Sequence, residues 1–118
     1  MPKRKKYISL IILLIAVALI GFLIISAKKT SKNEMILFYG DTCPHCKKVS
    51  EYIVANNVKT KFNFQELEVY NNQANAQLMA KKAISCGLDT SQGLGVPFFF
   101  DGQNCLVGDQ DIINFFQK

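Results

Sequence analysis

No acidic residue precedes Glu34, and no charged or strongly polar side chain lies between Leu10 and Ile25. The first absence changes the meaning of the formal charge of +5. Residues 1–32 carry seven basic groups unopposed, whereas residues 33–118 set seven lysines against nine carboxylates. The N-terminal part is therefore +7 and the remainder −2 (seven minus nine), which gives no support for nucleic-acid binding by a folded domain. The second absence excludes an amphipathic surface helix, which needs a polar face. A second close pair of cysteines is also missing: Cys86 and Cys105 stand alone, 40 and 59 residues past Cys46. Structural zinc normally takes two close pairs, so neither a metal site nor a cofactor is expected. His45 is the only histidine, and no internal repeat or low-complexity segment appears.

The apolar run is what the N-terminus has instead. Extended to Ile8, it gives eighteen residues through Ile25. That is about 27 Å of helix, enough to cross a hydrocarbon core. A cleaved signal peptide would share the basic start (Lys3, Arg4, Lys5, Lys6) but would have a shorter apolar stretch and a small-residue exit. A buried core helix is the third reading. The expectation is an uncleaved anchor placing residues 8–25 in a lipid bilayer, with Tyr7 at its boundary. Four basic residues and the amino terminus on one flank, against Lys28, Lys29 and Lys32 on the other, orient the N-terminus to the cytoplasm. The domain is then extracytoplasmic.

Residues 1–32 thus read as basic flank, anchor and linker, with Lys28–Asn33 leaving the membrane, and residues 33–118 as one small domain. Met35–Tyr39 reads as a short strand buried on both faces. Cys43 to about Asn56 has Cys46, Val49 and Ile53 on one helical stripe. Lys61–Val69 alternates as a second strand. A helix opens after Asn71-Asn72, carries Ala76, Met79, Ala80, Ala83 and Ile84 at helical spacing, and stops at Gly87. Asp89–Gly95 is a polar loop. Val96–Phe100 and Gln103–Val107 read as strands around an Asp101-Gly102 hairpin turn. A last helix follows, with Asp109 as N-cap and Ile112, Phe115 and Phe116 buried. The order is β-α-β-α-β-β-α, an α/β class.

Cys43-Pro44-His45-Cys46 opens the first helix of this domain. Cysteines three apart on a helix have Cα atoms about 5–6 Å apart, inside the range a disulfide needs. The helix N-terminus favours a thiolate at the first of them. Cys43 is thus the expected nucleophile and the more exposed thiol, and Cys46 the buried resolving thiol. Pro44 supplies a helix-compatible φ without wasting an N–H. His45 either stabilises the Cys43 thiolate, making the disulfide more oxidising, or is a solvent-exposed ring of little effect. The first role is expected. Cys86 and Cys105 have three readings: a structural disulfide, two unpaired thiols, or a second relay pair. The disulfide is expected.

Element order, the Cys-x-x-Cys after the first strand and Val96-Pro97 opening the third resemble the thioredoxin-fold family at glutaredoxin size. The resemblance covers residues 35–118. Cys43-Pro44-His45-Cys46 matches the active-site tetrad of DsbA-type oxidases, Gly95-Val96-Pro97 is similar to their cis-proline loop, and Val107-Gly108-Asp109-Gln110 resembles the turn before the last glutaredoxin helix. The resemblance implies a three-layer βαβαββα sandwich. Pro97 alone would be read as an ordinary trans, strand-initiating proline; the resemblance implies a cis bond that leaves Val96 backbone free for an extended substrate. Tyr39 and Thr42 are expected to line the site. Glutaredoxins commonly carry a basic residue three before the first cysteine, where this chain has Gly40, so glutathione is not the expected partner. The domain also has no room for the helical insertion of DsbA proteins. The function implied is thiol–disulfide exchange with cysteine-containing proteins, as oxidant or isomerase, with a membrane or soluble redox partner. A redox-inert binding module and a glutathione-dependent reductase are the alternatives.

Overall fold

The computed structural model describes Pro2–Ser26 and residues 34–118, so the linker expected over Lys28–Asn33 lies outside the described residues. The chain divides into two compact units, Met1–Ser31 and Lys32–Lys118. In the first, α1 (Pro2–Ser26) is one continuous helix. Its stretch Pro2–Leu23, which contains an 18-residue window of mean hydropathy 2.5, is long and apolar enough to cross a membrane. Its large apolar side chains from Tyr7 to Leu23 are exposed on every side. In water that composition would be unfavourable all round; in hydrocarbon it is not.

The second unit is a mixed α/β domain. Its elements are β1 (Met35–Tyr39), α2 (Pro44–Ala55), a 3₁₀ turn (Val58–Thr60), β2 (Phe64–Glu68), α3 (Gln73–Ser85), β3 (Phe98–Phe100), β4 (Cys105–Val107) and α4 (Asp109–Phe116). The sheet runs β2-β1-β3-β4. β1 pairs parallel with β2 and antiparallel with β3, and β3 pairs antiparallel with β4. Period-two alternation sends Ile36 and Phe38 to one face and Leu37 to the other. Leu37 and Phe99 meet Val49 and Ile53 of α2 and Ile112 and Phe116 of α4. Ile36, Phe38, Phe98 and Phe100 meet Met79 and Ala83 of α3. Helices therefore cover both faces, and β1 is buried on both, as its composition requires.

Four expectations are corrected. β2 begins at Phe64 rather than Lys61, because the Phe62 N–H turns back to the Val58 carbonyl at 2.9 Å and Lys61 does the same at 3.0 Å. β3 begins at Phe98 rather than Val96; Pro97 has no N–H to give the ladder, and its carbonyl accepts from Gly108 instead. β4 likewise begins at Cys105 rather than Gln103, because the hairpin turn is centred on Gly102-Gln103 rather than Asp101-Gly102, with Phe100 opposite Cys105. The Asp101 carboxylate accepts the N–H groups of Gln103 and Asn104, and Gly102 takes φ +102. Asp109 is not the N-cap of α4: Gly108 holds that position, and Asp109 is the first helical residue.

Candidate active site

α2 starts where β1 leaves the sheet, and Cys43 is its N-cap. Pro44 follows at the first helical position with φ fixed for a helix. The Cys43 side chain does the work usually given to a serine or aspartate: its Sγ accepts the Cys46 N–H at 3.2 Å. The same sulfur, as a thiol, donates to the Val96 carbonyl at 3.6 Å. Both cysteines are free thiols and buried, Cys43 at 8% exposure and Cys46 at 6%. The expected contrast in exposure between them is therefore slight.

Burial also sets the acidity of Cys46. Burial pushes the Cys46 thiol up to about 12, helped by the hydrogen bond and charge of Cys43 and opposed by the Gly40 N–H. Cys46 thus keeps its proton across the range in which a thiol at a helix N-terminus ionises. An open pocket of about 580 Å³ lies against the pair, lined by Tyr39, Gly40, Thr42, Glu66 and both cysteines. Tyr39 and Thr42 are therefore beside the dithiol. The Val96-Pro97 bond is cis.

His45 does not turn to Cys43. Its Nδ1 donates to Asp109 Oδ2 at 3.0 Å, and Lys48 Nζ stands 3.5 Å from the same oxygen. The His45 hydrogen bond is the main cause holding the Asp109 carboxyl below its ordinary value, with the Gln110 N–H and Lys48 adding to it against partial burial. Sequence reasoning gave Asp109 a local capping role and missed this contact, which joins residues 64 positions apart.

Tyr70 was missed entirely. Its ring lies on the α-carbon of Gly40: a Cβ added there would fall 2.6 Å from the ring Cδ2. An aromatic residue one place past Val69, which extends the β1–β2 ladder by bonding the Tyr39 carbonyl at 2.9 Å, was the available signal.

Cys86 and Cys105 are joined by a disulfide with Cα atoms 6.0 Å apart. Cys105 pairs with Phe100, which pairs with Ile36 at the start of β1, whereas Cys43 follows the end of β1. The two cysteine pairs therefore sit at opposite ends of the sheet. Among the described residues, no group of three or more His, Cys, Asp and Glu is placed to hold a metal ion. No protein-family model matches the chain, and no curated protein matches it.

Proposed function

We propose that this chain is a membrane-anchored thiol–disulfide oxidoreductase whose domain is of the thioredoxin type and faces an extracytoplasmic, oxidising space. The observation that carries the reading is the Cys43–Cys46 dithiol at the start of α2, with one sulfur capping the helix and the other buried and hard to ionise. Strand order β2-β1-β3-β4, with α2 and α4 on one face and α3 on the other, supports the fold assignment. The Cys86–Cys105 bond supports an oxidising compartment, and the heavier basic flank before α1 supports a cytoplasmic N-terminus.

In the oxidising direction, a substrate thiolate attacks Cys43 Sγ of the Cys43–Cys46 disulfide. The Cys43–Cys46 bond breaks, and Cys46 leaves and takes a proton. A second substrate thiolate then attacks the substrate sulfur of the mixed disulfide and expels Cys43 as a thiolate. Two substrate thiols become one disulfide, and the protein disulfide becomes a dithiol. The high proton affinity of Cys46 makes it a slow leaving group but ensures that, once expelled, it takes up a proton and does not attack back on the mixed disulfide. Val96 and Pro97 border Cys43 where an extended substrate segment would lie, with Tyr39 and Thr42 on the pocket side. Oxidant or isomerase is the direction proposed, since a helix N-terminus stabilises the thiolate of the reduced form.

Cys43→Ser should abolish disulfide exchange with a reduced model protein, while Cys46→Ser, offered a disulfide-bonded model protein, should attack that bond through Cys43, expel one substrate thiolate and accumulate the mixed disulfide. Full exchange by Cys43→Ser would overturn the assignment. An equilibrium potential near ~−270 mV rather than ~−120 mV would overturn the oxidising direction.

A further inference from the structure

Cys43 changes its hydrogen-bonding needs when it ionises. As a thiol it gives its proton to the Val96 carbonyl. As a thiolate it has no proton to give, and that carbonyl oxygen becomes an unfavourable neighbour. The sulfur then needs donors. The Cys46 N–H is one, at 3.2 Å. We propose that the Tyr70 hydroxyl is the second, held over the dithiol by a purpose-built loop and donating to the Cys43 thiolate. This rests on the oxidoreductase reading for its role, though not for its chemistry.

The loop between β2 and α3 fixes the ring. Glu68 turns its carboxylate back on the chain and accepts both the Tyr70 and Asn71 N–H groups, at 2.6 and 2.8 Å. The Glu68 carbonyl accepts Asn75 Nδ2 at 2.8 Å, tying the loop to α3. Asn71 Nδ2 reaches Asp41 Oδ2 at 3.3 Å, tying it to the segment that enters α2. Between these anchors the ring rests on Gly40, whose carbonyl accepts the Cys43 N–H at 3.1 Å. Any side chain at position 40 would occupy the space of the ring, so the glycine is required by Tyr70. Tyr70 is otherwise 55% exposed, so the four hydrogen bonds that hold its loop, one of them from its own N–H, fix its place rather than burial of the ring.

The charge coupling runs the same way. Desolvation is the largest cause raising the Tyr70 hydroxyl above its ordinary value, followed by the negative charges of Cys43 and Cys46 and a hydrogen bond to Cys43. The hydroxyl therefore holds its proton more tightly than an ordinary phenol, which is what a donor to a thiolate needs.

The other titratable groups around Cys43 and Tyr70 are Tyr39 of β1, Asp41, His45, Cys46 and Lys47 near the start of α2, Glu66 and Glu68 of β2, and Asp109 of α4 with its Lys48 partner. Tyr70→Phe leaves all of them in place and keeps the ring on Gly40, so it isolates the hydroxyl. The experiment is the pH profile of Cys43 alkylation by iodoacetamide, mapped by mass spectrometry, on the reduced full chain in detergent with Cys86–Cys105 intact. Removing a donor to the thiolate makes it harder to form. The Tyr70→Phe profile should move to higher pH by about half to one unit, a roughly three- to tenfold slower reaction on the rising limb. Gly40→Ala, which displaces the ring, should give a shift of the same sign, with no further shift when combined with Tyr70→Phe. A Tyr70→Phe profile that superimposes on the wild type overturns the assignment, whether or not the chain exchanges disulfides. A shifted profile in a chain that exchanges none supports the donor and overturns the oxidoreductase reading instead.

Discussion

Opening the Cys86–Cys105 bond should lower the melting temperature of the domain by roughly 12–24 °C. The two cysteines are 19 residues apart, and they join the end of α3 to the first residue of β4. Closing a loop of that size in the unfolded chain removes about 3 kcal/mol of conformational entropy. A domain of this length loses about 4–8 °C per kcal/mol. The clean perturbation is reduction rather than mutation, because alanine at either position also removes a half-buried sulfur from the contact with Ile36 and Phe100. The background should be Cys43→Ser/Cys46→Ser, so that the reductant has one disulfide to act on. Thermal unfolding is followed by near-ultraviolet circular dichroism of the full chain in detergent, since the far-ultraviolet signal includes α1. The entropic argument makes a second demand. A cross-linked unfolded chain exposes less surface, so the oxidised form should show the smaller urea m-value. A fall of less than about 3 °C on reduction, with equal m-values, would refute the reasoning.

Two further outcomes follow from the acidities. Cys46 is lifted from 9.0 to about 12 on folding, so above pH 9 the unfolded chain releases a proton that the folded one retains. Stability should therefore fall as pH rises beyond about 9, and Cys46→Ser should lose that alkaline decline; parallel urea curves for the two proteins between pH 7 and 10.5 would refute it. Asp109 has the opposite sign. Its carboxyl is held below 3.8, chiefly by His45, so the tie from α4 to α2 is present above that pH and lost as pH falls through the lower folded value. The stability deficit of Asp109→Asn should be constant at neutral pH and vanish in acid, as followed by chemical denaturation; a deficit unchanged at pH 2 would show that the carboxylate charge is not its source.

Local signals placed most of the secondary structure. Asn72 caps α3 by accepting the Asn75 N–H, and Cys43-Pro44 opens α2, each within one helical turn. Such interactions are written in adjacent residues and survive any tertiary context. The hairpin failed differently. Asp-Gly is the usual two-residue turn, but Asp101 has a side chain able to take two backbone N–H groups, which moves it from the turn to its flank. The slip changes the register by two, and a shift of two keeps every side chain on its face. Cys105 therefore still reaches Cys86 across the α3 side of the sheet. The site was less legible than the fold. Its backbone is local to Cys43–Cys46, and the resemblance placed Val96 beside it, but Tyr70 and the Asp109 contact are brought in by a loop and a helix end far along the chain. No periodicity records such contacts.

The two cysteine pairs differ by position rather than by residue type. Cys86 and Cys105 tie a helix end to a strand, where neither sulfur caps a helix N-terminus and the bond is the favoured state in an oxidising space. Cys43 stands at the positive end of α2, and its sulfur already accepts one N–H. On the proposed reading each further donor, Tyr70 included, deepens the reduced state of this pair and leaves the other untouched. His45 belongs to that set only in part, because its ring is directed to Asp109, whose negative charge offsets an imidazolium at the distance of Cys43. If the tetrad is redox-active as proposed, its oxidising strength depends on Tyr70 together with the His45–Asp109 pair, and Asp109→Asn, which removes the negative charge paired with His45, should give the more oxidising protein. A potential for Asp109→Asn that falls below the wild type at pH 5 would show that His45 acts on Cys43 through Asp109 rather than against it.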